Sequence, residues 1–166
     1  MVTKKNIAIL LFVCALAAVL YAVLYPDREQ QVRRQLDRLS AYTGKQVDEP
    51  AMDSMTRAIQ ASKLFHEPCQ ITLAHPRLHG RFDRRGISQR ISLVRNSFSR
   101  LTLSFHDISV TFPENNQADL SLTMRVQGVL RTKEPFDDVR ELALMMVRRD
   151  GKWLIQRVAE VEILER

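Results

Sequence analysis

The hydrophobic pattern of this chain begins with a long apolar stretch. An unbroken run of 19 apolar and aromatic residues, Ile7–Tyr25, follows Lys4 and Lys5 and ends at Pro26. At about 1.5 Å per residue, a helix of that length spans about 28 Å, close to the hydrocarbon thickness of a bilayer. The run therefore predicts a transmembrane signal anchor over residues 6–25, with residues 1–5 as a short cytoplasmic tail.

The charges on either side of the run bear on its orientation. Lys4, Lys5 and the free amine favour a cytoplasmic N-terminus, whereas a cluster that includes Arg28, Arg33 and Arg34 favours the opposite direction. A tail this short usually stays inside, and a signal-like start exports the residues after it. We expect a single-pass protein of the bacterial inner (cytoplasmic) membrane with its C-terminal domain periplasmic or extracytoplasmic.

After the run, apolar residues recur at helical spacing. The pattern predicts a helix over Arg28–Tyr42 and a second one that begins at Asp48-Glu49-Pro50. A third follows Asp83, a plausible N-cap. A short strand, Cys69–Ala74, pairs back with Leu78–Phe82. The apolar stripes are Val32, Leu36 and Leu39 on the first helix, Met52, Met55, Ile59 and Ser62 on the second, and Ile87, Ile91, Val94 and Phe98 on the third.

From Leu101 the period becomes two, which is typical of strands. The phase slips at His106-Asp107 and again near Gly128, and each slip predicts a β-bulge or bend. Asp150-Gly151 is a strong signal for a two-residue hairpin. Helices first and four long antiparallel strands afterwards predict an α+β fold, in which a curved sheet encloses three helices as a half-open cone.

Composition limits the function classes. Excluding Lys4 and Lys5, the protein has 23 basic and 19 acidic residues, so the part that follows the apolar run, residues 27–166, carries a charge of +4. No aromatic residues are interleaved with the arginines, which argues against nucleic-acid binding. Cys69 is the one cysteine outside the apolar run, so it is a buried thiol or an intermolecular link. No motif points to a cofactor.

The order of elements and the closing hairpin resemble a known superfamily. The hairpin reads Leu144-Met145-Met146-Val147-Arg148-Arg149-Asp150-Gly151-Lys152-Trp153-Leu154-Ile155. Residues 28–166 resemble the nuclear transport factor 2-like superfamily, also called SnoaL-like or cystatin-like α+β cone folds. The resemblance implies a cone with an apolar pocket, which isomerases and dehydratases use for catalysis and other members use for binding or dimerisation. Fold alone does not choose between these functions.

Two groups of residues are candidates for chemistry. His106 and Asp107 at the predicted bulge form an acid–base candidate, although neighbours on a strand point to opposite faces. His66, Cys69, His75 and His79 are of residue types that bind zinc or copper, although their spacing matches no tight metal motif. The structural alternative for His106 and Asp107 is a bulge on the rim of the sheet with no catalytic role. For the second group it is a set of surface histidines beside a core cysteine.

Arginines are concentrated in the middle of the sequence, at Arg77, Arg81, Arg84, Arg85, Arg90, Arg95 and Arg100. They could hold anionic lipid headgroups, an acidic partner, or an acidic ligand at the mouth of the cone. We name Arg84, Arg95 and Trp153 as candidate pocket residues. The alternative is a solvated face whose charge is balanced by acidic segments at Glu134–Glu141 and Glu160–Glu165.

The closing sheet is apolar on both faces, at Leu142-Ala143-Leu144-Met145-Met146-Val147 and again at Trp153-Leu154-Ile155. A second subunit is a natural cover for the face that does not pack on the helices. The favoured hypothesis is a membrane-anchored, envelope-facing, non-catalytic module that acts through a homodimer or an envelope protein partner. The alternatives are a ligand-binding or isomerase/dehydratase-like pocket that uses His106 and Asp107, and a metal-binding module.

Overall fold

The computed structural model describes residues 27–74 and 79–161. Its helices are α1 (Arg28–Thr43), α2 (Ala51–Ser62) and α3 (Arg84–Ser97). Its strands are β1 (Phe65–Thr72), β2 (His79–Phe82), β3 (Phe98–Glu114), β4 (Gln117–Leu130), β5 (Pro135–Arg149) and β6 (Lys152–Glu160). The predicted element order and the α+β class are confirmed.

Contacts divide the protein into two units, Met1–Gln31 and Val32–Arg166. Of the first unit the structure describes residues 27–31, which include the start of α1. The predicted tail and anchor, residues 1–25, lie outside the described residues, as does His75. Within the part of the sequence that the structure describes, no helix is long and apolar enough to cross a membrane.

Two of the three helices bury the stripes that their spacing predicts. In α1, Val32, Leu36 and Leu39 are buried in the core. The Asp83 carboxylate accepts a hydrogen bond of 2.7 Å from the amide of Gly86, which confirms it as the N-cap of α3. Ile87 of α3 is buried on the same core. Local sequence signals therefore predict both of these helices correctly.

The stripe predicted for α2 is wrong. Met52, Met55 and Ile59 are exposed, and only Ser62 of the predicted stripe is buried, on a face that it shares with Ser54, Ala58 and Ala61. These residues are small, and the distance between packed helices depends on the side chains at their contact, so α2 approaches α3 closely. Close packing thus decides the orientation of α2 against its hydrophobic pattern.

The six strands form one sheet in the order β2-β1-β6-β5-β4-β3. The pairs β1–β2, β3–β4, β4–β5 and β5–β6 are antiparallel, as expected. The expectation of a purely antiparallel sheet is wrong at one place, because β1 pairs parallel with β6. Strand β5 begins at Pro135, seven residues before the apolar run that starts at Leu142. The structure thereby brings a charged segment, residues 137–141, into the sheet.

Both predicted irregularities of the sheet occur. The pairing of β3 with β4 shifts between His106 and Ser109, and Asp107 there has a left-handed backbone conformation with a φ of 51°. The second shift lies on β3 between Phe98 and Arg100, opposite the end of β4 that contains Gly128. A Cβ at Gly128 would overlap the carbonyl oxygen of Arg100, so glycine is required by close backbone approach. Asp150 and Gly151 form the closing turn with φ of 50° and 75°.

The core of the second unit lies between its helices and one face of the sheet. Because successive strand residues point to opposite faces, every second residue of β4 and β5 is directed at the helices. The buried set includes Val32, Leu36, Ile87, Leu120, Leu122, Leu144, Met146, Trp153 and Ile155. We call this the inner face of the sheet, and the opposite one the outer face.

Candidate functional site

A cavity of about 470 Å³ lies on the inner face of the sheet, beside α1 and α3. Small-molecule sites typically have volumes of about 300–1,000 Å³ and are mainly apolar, and this cavity meets both criteria. Its apolar lining includes Leu39, Ile71, Ile87, Ile91, Val94, Leu103, Phe105, Met124, Val126, Phe136, Leu144 and Val158. Space of this size inside the domain is the feature that points most directly to ligand binding.

The cavity also has a polar edge on β5. Asp138 and Arg140 are two residues apart, so both point inward between the apolar residues Phe136 and Leu142. Arg140 Nε donates to Asp138 Oδ2 at 2.7 Å, and Arg140 Nη1 donates to Glu160 Oε1 at 2.6 Å. The hydrogen bond to Asp138, and then the one to Glu160, raise the pKa of Arg140.

The position of Glu160 follows from the register of the sheet. Glu160 on β6 lies opposite Leu142 on β5, so it is a diagonal neighbour of Arg140 on the same face. Its second oxygen, Oε2, accepts a hydrogen bond of 2.8 Å from the backbone amide of Ala74. Glu160 thus ties the guanidinium of Arg140 to the segment that follows β1, and so limits the directions in which Arg140 can point.

Arg90 on α3 is the other charged residue that lines the cavity. Its guanidinium carbon lies 3.6 Å from the centroid of the Phe82 ring, and its Nη1 donates to the carbonyl of Gly86 at 3.1 Å. Stacking on an aromatic face orients a guanidinium without using all of its five donors. The cavity is therefore an apolar volume with guanidiniums contributed by α3 and β5 and one carboxylate, Asp138, among its described lining residues.

The structure places His106 and Asp107 at the predicted bulge but away from the cavity lining. Both side chains are exposed. His106 Nε2 lies 3.0 Å from the Ser104 hydroxyl, and Asp107 Oδ2 accepts a hydrogen bond of 3.3 Å from Thr123. Each side chain thus has its own partner, and the two do not form a hydrogen-bonded pair. An acid–base couple is not assembled here.

The three residues expected to line a ligand pocket, Arg84, Arg95 and Trp153, are not among those that line the cavity. Arg84 lies on the exposed side of α3, 3.9 Å from a carboxylate oxygen of Glu67. Trp153 is buried in the core, where its ring contacts that of Phe112 at a centroid distance of 5.8 Å. Strand β6 therefore directs the Trp153 side chain into the packed core and not into the cavity.

Arg95 is fully buried and has a structural environment of its own. Its Nη1 donates to the carbonyls of Tyr42, Thr43 and Gly44 at the end of α1, and its Nη2 donates to Glu49 Oε1 at 2.6 Å. Burial lowers the pKa of Arg95, and Glu49 raises it in opposition. The last carbonyls of a helix lack partners within the helix, so the guanidinium of Arg95 on α3 caps the C-terminal end of α1.

The candidate metal ligands are only partly described, because His75 lies outside the described residues. His66 and Cys69 are on opposite faces of β1, and His79 is exposed on β2. Among the described residues, no group of three or more histidine, cysteine or acidic side chains is arranged to hold a metal ion. Cys69 is buried and unbridged, and burial raises the pKa of its thiol to about 12.

The sequence alone does not single out the charged residues of the cavity, which are Arg90 of the arginine run and Asp138 and Arg140 of β5, or Glu160, the partner of Arg140. A usable signal was present in β5. Phe136, Asp138, Arg140, Leu142 and Leu144 share one parity, so extending the strand pattern back from Leu142 places two charged residues on the core side. Opposite charges two residues apart on a buried face predict an internal ion pair.

Comparisons with known proteins address the fold. No family model and no curated protein matches the sequence. Among solved structures, the protein is similar to one assigned as a scytalone dehydratase from Novosphingobium aromaticivorans, with a TM-score of 0.62, 17% identity and coverage of 80% of this sequence and 81% of that one.

Two further solved structures show the range of proteins with this fold. A hexachlorocyclohexane dehydrochlorinase, LinA type 2, matches with a TM-score of 0.65, 10% identity and coverage of 80% and 83%. A protein assigned as a calcium/calmodulin-dependent protein kinase II association domain, from Xanthomonas campestris, matches with a TM-score of 0.57, 13% identity and coverage of 81% and 84%. The protein has a nuclear transport factor 2-like α+β cone fold, as its sequence predicts.

Proposed function

We propose that this protein binds a small, predominantly apolar molecule in the cavity on the inner face of its sheet. The observation that carries the proposal is the 470 Å³ volume itself, lined by aliphatic and aromatic side chains and edged by Arg90, Asp138 and Arg140. Neighbours with the same fold include proteins named as a dehydratase and a dehydrochlorinase, and they support a pocket-based function over the assembly module favoured by the sequence.

The lining indicates the chemistry of the ligand. An aliphatic or aromatic body would replace empty space next to Leu103, Met124 and Val126, whose side chains lack dispersion partners on their open side. A hydroxyl, carbonyl or carboxylate on that body would accept hydrogen bonds from Arg90 or Arg140. Asp138 is the one acidic residue of the described lining, and a carboxylate can act as a general acid or base. Asp138→Asn would therefore reveal whether the bound molecule is also chemically transformed.

Fluorescence titration of the full-length protein with N-phenyl-1-naphthylamine tests the cavity. Val126→Trp fills the cavity from β4. Val139→Trp makes the same change at an exposed position on the outer face of β5 and serves as the matched control. We expect saturable binding to the parent and to Val139→Trp, and at least tenfold weaker binding to Val126→Trp. All three proteins are measured in the same detergent. Equal binding of the probe to all three would overturn the proposal.

We also propose that Ile7–Tyr25 anchors the domain to the inner membrane, with residues 28–166 on the periplasmic side. The support is the length of the apolar run and the pair Lys4 and Lys5 before it. Alkaline phosphatase fused after Arg166 should be active in intact cells and the protein should resist carbonate extraction. An inactive fusion would indicate the opposite orientation, and release of the protein by carbonate would refute the proposed anchor.

Self-association through the closing sheet is a separate prediction. On the outer face, Met145 and Val147 of β5 and Leu154 of β6 are half-buried within the described residues. A homodimer would cover the part of these apolar side chains that is still exposed to solvent. Crosslinking in intact membranes should trap the dimer, and Met145→Arg should abolish it; a single monomeric band from the parent protein would contradict the prediction.

A further inference from the structure

A second pocket, of about 230 Å³, opens on the outer face of the sheet, on the side opposite the apolar cavity. Its position follows from strand parity, since Gln70 of β1 lies between the buried residues Cys69 and Ile71 and therefore points to the opposite face. His66 and Pro68 of the same strand also line it. The pocket has room for a small ligand. Five of its seven described lining residues are polar or charged, whereas the described lining of the inner cavity is almost entirely apolar.

Strand register explains how this pocket acquires its charge. Gln70 on β1 is paired with Arg81 on β2 and with Arg157 on β6. Neighbouring strands lie about 4.8 Å apart, so the two arginines stand about 10 Å apart at their backbones with Gln70 between them. Long side chains from both sides can therefore reach one group that lies over Gln70.

The charges of these two arginines are not compensated within the described structure. Arg81 and Arg157 form no ion pair with any described residue, whereas Arg84, Arg125 and Arg140 each have a carboxylate partner. The pocket lining contains no acidic residue. Glu67, which lies between the lining residues His66 and Pro68 in the sequence, has an oxygen 3.9 Å from the guanidinium of Arg84. The pocket therefore collects two positive charges that have no counterpart among the described side chains.

Polar side chains between and beside the arginines add hydrogen-bond donors. Gln70 and Gln156 both line the pocket and offer carboxamide N–H groups. His66 lines it as well, and its Nδ1 is shielded from solvent without a hydrogen-bond partner. Because no protein group holds that nitrogen, rotation of the ring towards a ligand would break no hydrogen bond at Nδ1.

We propose that this outer pocket is a binding site for a phosphate group, carried by a phosphate monoester or by a phospholipid headgroup. A guanidinium presents a planar fork of donors that matches phosphate oxygens, and two of them from opposite sides suit a tetrahedral anion better than a planar carboxylate. The site is independent of the inner cavity, because no lining residue is shared between them. Failure of either proposal leaves the other intact.

The test uses the full-length protein, with inorganic phosphate as the first probe at constant ionic strength against chloride. A ligand that binds the folded state stabilises it in proportion to the logarithm of its concentration above the dissociation constant, so phosphate should raise the melting temperature progressively. Arg81→Gln and Arg157→Gln should each weaken phosphate binding at least tenfold. Line broadening of the ³¹P resonance provides a second measurement that does not depend on thermal stability.

Arg100→Gln is the matched control. Arg100 is exposed on β3, the strand at the opposite edge of the sheet from β2, and its replacement removes the same charge far from the pocket. This variant should bind phosphate like the parent. Absence of a phosphate effect in the parent, or equal weakening in all three variants, would overturn the proposal, because either result would mean that only general positive charge is present.

Dihexanoyl phosphatidylglycerol, used as monomers, distinguishes the two sources of phosphate. Tenfold tighter binding than glycerol phosphate, lost in Arg81→Gln and Arg157→Gln, would assign the site to a lipid headgroup. Equal binding of the two probes with the same loss would assign it to a free phosphate ester. Binding of the lipid that persists in both variants would place the contact elsewhere and refute the site.

Discussion

Replacing Arg95 by alanine removes a fully buried charge that connects α3 to the end of α1. The substitution leaves three backbone carbonyls, those of Tyr42, Thr43 and Gly44, without this donor. It also removes the closer of the two arginine partners of Glu49, whose side chain is 8% exposed, and leaves that carboxylate with Arg57 at 3.4 Å. Breaking one side of a buried ion pair typically costs about 3–5 kcal/mol. Domains are stable by only about 5–15 kcal/mol, so we expect a melting temperature lower by about 10–20 °C.

Urea unfolding followed by the fluorescence of Trp153 measures this change, because Trp153 is the one tryptophan of the protein and is buried. Arg100→Ala is the control, since removal of an exposed arginine should change the free energy of unfolding by no more than about 0.5 kcal/mol. Adding Glu49→Gln to Arg95→Ala should recover part of the loss, because the double variant no longer buries a carboxylate whose remaining partner is the half-exposed Arg57.

The prediction fails if the free energy of unfolding of Arg95→Ala lies within about 1 kcal/mol of that of the parent protein, which is the size of an average point-mutation effect. It also fails if Glu49→Gln is additive with Arg95→Ala, since residues in direct contact within one network should show coupling. Either result would mean that water replaces the guanidinium without cost and that the end of α1 needs no cap.

Three further predictions test other parts of the structure. In a Cys14→Ser background at pH 9, Cys69 should react with iodoacetamide far more slowly in the folded than in the urea-unfolded protein. Burial raises the pKa of the thiol to about 12, so the folded thiol is still protonated at pH 9. Equal rates would place Cys69 at the surface. Gly128→Ala should cost about 1–3 kcal/mol in urea unfolding, since its methyl group overlaps the carbonyl of Arg100, and an unchanged midpoint would contradict the bulge. Met52→Gln with Met55→Gln should change stability by no more than about 0.5 kcal/mol if their side of α2 is exposed, and a larger loss would restore the predicted stripe.

The elements that the sequence predicts best are those whose signals are local. Three such features are the cap at Asp83, the period of two that begins at Leu101 and the turn at Asp150-Gly151. Each depends on neighbours within a few residues, and all three are found. The bulge at His106-Asp107 belongs to the same group, because one extra residue inverts the alternation on either side of it. Such features are governed by backbone geometry more than by distant contacts.

The arginines illustrate what local patterns cannot distinguish. Arg84 is exposed, Arg90 lines the inner cavity, Arg95 caps another helix and Arg81 lines the outer pocket. All four are charged residues within one short stretch, and their roles depend on which element lies opposite each side chain. The sequence grouped them as one surface, whereas strand pairing and helix packing separate them into four environments.

By itself, the sequence determined the order of helices and strands, the α+β class and the turns and bulges that bend the sheet, because these depend on periodicity and on residues with special backbone preferences. Only the tertiary structure decided which side of α2 is buried, that β1 joins β6 in parallel, and which charged residues face each pocket. These outcomes depend on contacts between residues far apart in the sequence, such as Gln70 with Arg157 and Arg95 with Tyr42. Close packing of small side chains and the register of six strands select them, and neither leaves a periodic trace in the sequence.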